Sequence, residues 1–172
     1  VVGQVRAAGG RFVSLIHPTV LVGRGVTLGE GCVLCPGVIL TADIRVGDFV
    51  TLNCHCSVGH DAVIGSFGTL NGRCDLTGNV RLGEGVFAGS HAVVIPGIEI
   101  GAGATLGAGS VVIRPVPPGT TVFGNPARIV GGAGELPAWD RRSPHPDRLR
   151  TPPETGRHPP RSRSSNAFSM AK

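Results

Sequence analysis

From Val22 onward the chain repeats every six residues. Val22, Leu28, Leu34, Leu40, Val46, Leu52, Val58, Ile64, Leu70, Leu76, Leu82, Ala88, Val94, Ile100, Leu106 and Val112 form one column, and fifteen of these sixteen are Val, Leu or Ile. A second restricted position stands two residues before each of them, from Val20 to Ser110, and never holds a charged side chain. The residue just after the inward one is glycine at 23, 29, 47, 59, 65, 83, 89, 101 and 107, which predicts a tight corner with unusual backbone angles. A six-residue unit with two inward side chains fits neither a helix nor an isolated strand. It predicts short strands joined by turns and coiled into a triangular prism. Three units per coil stack residues eighteen apart, giving about five coils that rise ~4.8 Å each. Each coil then hydrogen-bonds to the next as a parallel ladder.

Composition fits such a core. The chain has 28 Gly, six Phe, one Trp and no Tyr, so packing must come from aliphatic side chains. The net charge of +5 is concentrated in the tail: residues 1–132 carry eight Arg against seven acids, and residues 133–172 carry eight Arg/Lys against four. No basic patch interleaved with aromatics occurs, so no nucleic-acid partner is expected. Five cysteines, an odd number, with no signal peptide before them predict a reducing, cytoplasmic setting rather than a disulfide framework. No apolar run reaches the ~18–20 residues of a membrane span, so no membrane partner is expected. The chain begins at Val1 without Met, which suggests a missing upstream segment. Residues 131–172, rich in Pro, Arg and Ser, are expected to be a disordered tail, with a functional basic tail as the rival reading.

Units such as "VTLGEG", "VRLGEG" and "IEIGAG" resemble those of the hexapeptide-repeat acyltransferases. Three longer stretches, "FVSLIHPTV" (12–20), "LNCHCSVGHDAVIG" (52–65) and "GAGSVVIRPVPPGTTVFGNPARIV" (107–130), jointly resemble the NeuD/PglD-like sugar acetyltransferases. The resemblance implies an all-β fold, a left-handed parallel β-helix over 17–130, preceded in 1–16 by a remnant of an N-terminal α/β domain. It also implies a homotrimer with sites at the seams, acetyl-CoA as co-substrate and no metal. The expected substrate is an amino sugar: a nucleotide-linked 4-amino sugar for N-acetylation, or a sialic-acid-like sugar for O-acetylation, in surface-glycan biosynthesis. Most of the α/β domain is lacking, so sugar selectivity is not legible.

The register sorts the reactive side chains. Cys32, Cys56 and Cys74 fall at the second inward position and are expected to fill the core. The "CVLC" pair has zinc-like spacing, but Cys35 sits at a corner, so its side chain should diverge from that of Cys32. His55 and His60 lie five apart, as metal-binding histidines do in γ-carbonic anhydrases. Yet His55 falls three after its inward residue and His60 two after, and the positions stacked on His60 are Ala42 and Gly78, with His17 and His91 off that column.

His60 reads better as a general base that takes a proton from an attacking amine or hydroxyl. Asp61 follows it, as an acidic residue does in the family motif. Gly78, one coil above, leaves no side chain over the imidazole and offers a backbone N–H to a developing oxyanion. Asn53 and Asn71 stack, either as a structural amide ladder or, as the resemblance has it for Asn53, to orient the nucleophile; His17 of the "IHP" segment joins Asn53 as a substrate contact. The resemblance carries the coenzyme contacts to Thr69, Gly78, Ser90 and Ala108, although Thr69 stands where relatives can carry a histidine. Arg128, in "GNPAR", either meets a coenzyme phosphate or is an ordinary exposed arginine. Two further functions stand beside the acetyltransferase: a γ-carbonic-anhydrase-like metalloenzyme and a non-catalytic trimeric β-helix scaffold.

Overall fold

A computed structural model describes residues 1–132, so the expected tail lies almost wholly outside the described residues. Two-residue strands recur every six residues and sort into three parallel sheets, the faces of a left-handed β-helix. The first face holds Leu15–Ile16, Val33–Leu34, Thr51–Leu52, Thr69–Leu70, Phe87–Ala88 and Thr105–Leu106. The second runs from Leu21–Val22 to Val111–Val112, and the third from Thr27–Leu28 to Glu99–Ile100. Strand partners are eighteen apart, as in Thr51 with Thr69 and Val58 with Leu76. The second face has six strands, so the prism has about six coils, one more than the count from Val22 gives.

The inward columns are buried as their pattern requires. Leu52, Val58, Ile64, Leu70 and Leu76 form one line through the core, while Val50, Cys56, Ala62, Cys74 and Val80 form the other. Burying each large aliphatic side chain contributes roughly 1.5–3 kcal/mol, which offsets the ordering of short strands that could not stand alone. The first coil departs from this pattern. Its inward residues Ile16 and Val22 are 47% and 50% exposed, because that coil has a neighbour on one side only.

The glycines just after the inward residue have a different cause from the one expected. None has a positive φ. They are glycine because the next coil runs too close: a Cβ on Gly65 would lie 2.6 Å from Glu84 N and 2.7 Å from Gly83 O. The left-handed position is two residues later, where Asp43, Phe49, His55, Asp61, Phe67, Arg73, Asn79 and His91 have φ between 55° and 61°. Asp and Asn tolerate that conformation; Phe, His and Arg are held in it by the ladder on both sides.

Both ends are finished by non-repeating chain. A short helix, Val2–Ala7, is tied to the prism by Arg6, which bonds Glu30, lies 3.8 Å from Asp48 and covers the Phe49 ring at 5.8 Å. Phe12 meets Phe49 edge-on at 4.8 Å, and Phe49 stacks on Phe67 at 5.3 Å. At the other end Ile100 pairs with Val116 and Thr105 with Thr121, sixteen residues apart instead of eighteen, so the last coil is two residues short. The strand Thr121–Gly124 then turns back through Ala127–Gly131 as an antiparallel hairpin. Among the described residues no helix is long and apolar enough to cross a membrane.

Candidate active site

His60 and Asp61 form the corner between the second and third faces, after Ser57–Val58 and before Val63–Ile64. The ladder fixes this corner from both sides: Asp61 N donates to Ala42 O at 3.0 Å, and Asn79 N donates to His60 O at 2.8 Å. With φ at +58°, Asp61 turns its carboxylate back to the preceding imidazole, and His60 Nδ1 lies 2.8 Å from Asp61 Oδ2. An ionised carboxylate can only accept, so Nδ1 carries the hydrogen of the neutral ring and Nε2 keeps its lone pair. Both side chains are open to solvent, at 63% and 56% exposure.

Gly78 does more than leave the ring uncovered. The imidazole lies against it, and a Cβ there would sit 2.6 Å from Nε2. The N–H of Gly78 donates no hydrogen bond among the described residues, although the backbone groups on either side of it are paired across the coils.

Other expected site residues stand elsewhere. His17, Asn53, Ser90 and Ala108 lie along the corner between the first and second faces, with Ser90 and Ala108 one coil apart. His17 Nδ1 meets Thr19 Oγ1 at 2.9 Å. Asn53 Nδ2 donates to Asn71 Oδ1 at 3.4 Å and Asn71 Nδ2 to Ala88 O at 3.0 Å, so the amide ladder exists. Thr69 is on the outside of the first face between Thr51 and Phe87, and Arg128 is exposed on the closing hairpin, its guanidinium 3.0 Å from Ala127 O. One chain thus gathers His60, Asp61 and Gly78 at one corner and carries Asn53, His17, Ser90 and Ala108 on the next.

His55 also stands on that other corner, a full prism face away from His60 along the chain. Among the described residues no group of three or more His, Cys, Asp or Glu converges. The five cysteines are free: Cys32, Cys56 and Cys74 are buried as their register requires, Cys35 is half-buried and Cys54 exposed. Contact with the Cys56 thiol, together with burial, pushes the Cys74 thiol up. Burial, then the nearby Cys54, pushes Cys35 up.

Two features escaped the reading of motifs. Ser57 Oγ donates to Asp75 Oδ1 at 2.5 Å on the outside of the second face, a pair that the eighteen-residue rule could have found. A shallow concavity of about 450 Å³ lies over the third face, lined by Val63, Arg81, Glu99 and Pro115–Pro117 among others, and it contains none of the expected site residues.

Two family models match the chain: bacterial transferase hexapeptide (six repeats) over residues 79–114, and hexapeptide repeat of succinyl-transferase over residues 19–42. No curated protein matches it in sequence. Solved structures do. PerB from Caulobacter crescentus, in complex with CoA and GDP-perosamine, is 40% identical over 75% of this chain and 62% of its own, with a TM-score of 0.74. WeeI from Acinetobacter baumannii AYE is 34% identical over 75% of this chain and 63% of its own, with a TM-score of 0.73. The acetyltransferase domain of PglB from Neisseria gonorrhoeae FA1090, in complex with acetyl coenzyme A, is 32% identical over 75% and 63%, with a TM-score of 0.72. The chain therefore spans less than two thirds of the length of these relatives. By its repeats and its fold, the chain is a hexapeptide-repeat protein similar to these acetyltransferases.

Proposed function

We propose that the protein transfers an acetyl group from acetyl-CoA to an amino sugar, with His60 as general base. The observation that carries this reading is the 2.8 Å contact of His60 Nδ1 with Asp61, which leaves Nε2 as a proton acceptor at an exposed corner. The amine attacks the thioester carbonyl carbon; a C–N bond forms, the C–S bond breaks, and the proton of the attacking nitrogen passes to His60 Nε2. The coenzyme leaves as a thiolate that takes up a proton. Asp61 faces the imidazolium formed on the way, and the Gly78 N–H donates to the oxyanion on the carbonyl. Relatives support the chemistry: a perosamine N-acetyltransferase is among the similar structures, and it has also been solved with substitutions of one histidine in complex with CoA and GDP-perosamine.

In this reading Asn53 and His17 meet the sugar, and Thr69, Gly78, Ser90, Ala108 and Arg128 meet the coenzyme. These residues lie on different corners, a face and the closing hairpin of one prism, so a complete site needs a neighbouring prism, and a homotrimer with sites at its seams supplies one. The favoured acceptor is a nucleotide-linked 4-amino sugar acetylated on nitrogen, for surface-glycan biosynthesis in the cytoplasm, where acetyl-CoA is available; O-acetylation of a sialic-acid-like sugar is the second choice. No metal has a part in the mechanism. The test is to incubate the protein with acetyl-CoA and a panel of such acceptors and to measure the free thiol released. Release that depends on one acceptor and falls with His60→Ala supports the reading. Equal release with and without His60 overturns it.

A further inference from the structure

The described carboxylates are unevenly placed. Glu30, Asp48 and Glu84 lie on the corner between the third and first faces, and Asp43 and Asp61 on the corner between the second and third. The corner between the first and second faces has none. It carries instead His55, Arg73 and His91, each exposed, each at the left-handed position, and each eighteen residues from the next. The nearest acid on the adjoining second face is Asp75, which is engaged by Ser57 at 2.5 Å.

We infer that His55, Arg73 and His91 form a ridge that binds the phosphate groups of the ligand. The ladder fixes where each side chain leaves the backbone: His55 N donates to Pro36 O at 3.0 Å, Arg73 N to Cys54 O at 2.9 Å and His91 N to Gly72 O at 3.0 Å. Successive positions are therefore one coil apart, and the three span ~10 Å along the prism, a length that suits a diphosphate with a further phosphate beside it. Arg73 is permanently charged and presents a planar fork of donors, and an imidazole donates from a ring N–H in either tautomer.

The ends of the ridge are cleared by glycine. Gly37 makes room for the His55 ring, since a Cβ there would fall 2.4 Å from His55 Nδ1. Above His91, a Cβ on Gly109 would meet nothing within 4 Å, so the ridge runs into open space beside Ser90 and Ala108. No other corner combines donors, absence of carboxylates and clearance in this way. The inference deepens the proposed function, on which it rests for the choice of ligand: the phosphates belong either to coenzyme A or to a nucleotide-linked sugar.

Isothermal titration of the full chain separates these sources without turnover. The ligands are coenzyme A, dephospho-coenzyme A, and uridine and guanosine diphosphate; the proteins are wild type, Arg73→Gln, and Arg81→Gln as a charge-matched change on the third face. Arg73→Gln is expected to weaken one ligand class about tenfold, the loss of one charge-assisted contact, while Arg81→Gln leaves it unchanged. A loss confined to coenzyme A assigns the ridge to its 3′-phosphate, a loss for both coenzymes to their diphosphate, and a loss for the nucleoside diphosphates to the sugar nucleotide. Unchanged affinity for every ligand, equal losses in both variants, or no binding to the wild type overturns the inference. Binding that depends on Arg73 without any acetyl transfer would sink the proposed reaction and leave the ridge standing.

Discussion

Gly78→Ala isolates the placement of the base from the stability of the prism. A Cβ at this position would lie 2.6 Å from Nε2, 2.8 Å from Cε1 and 3.1 Å from Cδ2 of His60. Carbon contacts are comfortable from about 3.5 Å, so the ring must retreat by roughly 0.9 Å. It can do so by turning about its own side-chain bonds, because it is exposed on its far side. The turn breaks the 2.8 Å contact with Asp61, an exposed pair that contributes little to folding, of the order of 1 kcal/mol at most. The backbone at Gly78 has no positive φ, so alanine is not strained there, and unfolding should shift by no more than about 1 kcal/mol, the most that the lost pair contributes. Catalysis is another matter: a displacement near 1 Å can cost about 100-fold in kcat/KM, or ~2.7 kcal/mol of transition-state stabilisation. The backbone N–H is retained, so such a loss does not come from the oxyanion donor. Steady-state kinetics with an acceptor that the thiol-release screen identifies, beside a thermal melt, decide it. Activity within twofold of wild type would show that the observed His60 placement is not the one that catalyses.

His60→Ala, which keeps the fold but removes the base, should lower kcat by 10²–10⁴, read in the same thiol-release assay. Leu70→Ala opens a cavity in the middle of the core column and should destabilise by about 2–5 kcal/mol, measured by chemical denaturation. Gly65→Ala should cost about 1–3 kcal/mol by the same measurement, because its clash is with backbone of the next coil and no side chain can yield. Alkylation followed by mass mapping should label Cys54 first and Cys35 more slowly, since burial and Cys54 push the Cys35 thiol up and its thiolate appears only at higher pH; Cys32, Cys56 and Cys74 should react only after unfolding.

Much of the fold was legible because the inward side chains answer to one constraint. Leu52 and Cys56 had to be buried once the six-residue step was found, and His55 had to be outward. The glycines after the inward residues were legible as special but not for the right reason: a Cβ colliding with the next coil and a left-handed φ both select glycine, and the sequence does not distinguish them. The true left-handed position was hidden by Phe49, Phe67 and Arg73, residues that no local preference puts there. The short last coil was hidden too, since the prolines at 115, 117 and 118 break the step without saying by how much. At the candidate site the eighteen-residue rule placed Gly78 over His60 correctly, while the fit of the ring against it depends on rotamers that a sequence does not carry. The charge segregation between corners was present in the residue types all along and becomes visible only when positions are sorted by corner.

The eighteen-residue stacking also sets a unit of permissible length. Removing six residues between His60 and Gly78 would keep every inward column intact, yet it would carry each later residue back to the preceding face and bring Glu84 to the place over the imidazole. A carboxylate would then occupy the space that the ring now uses. Length can therefore change in whole coils, or in loops that leave the prism, without disturbing the corner chemistry; a change of one or two units would leave a stable solenoid whose side chains no longer meet.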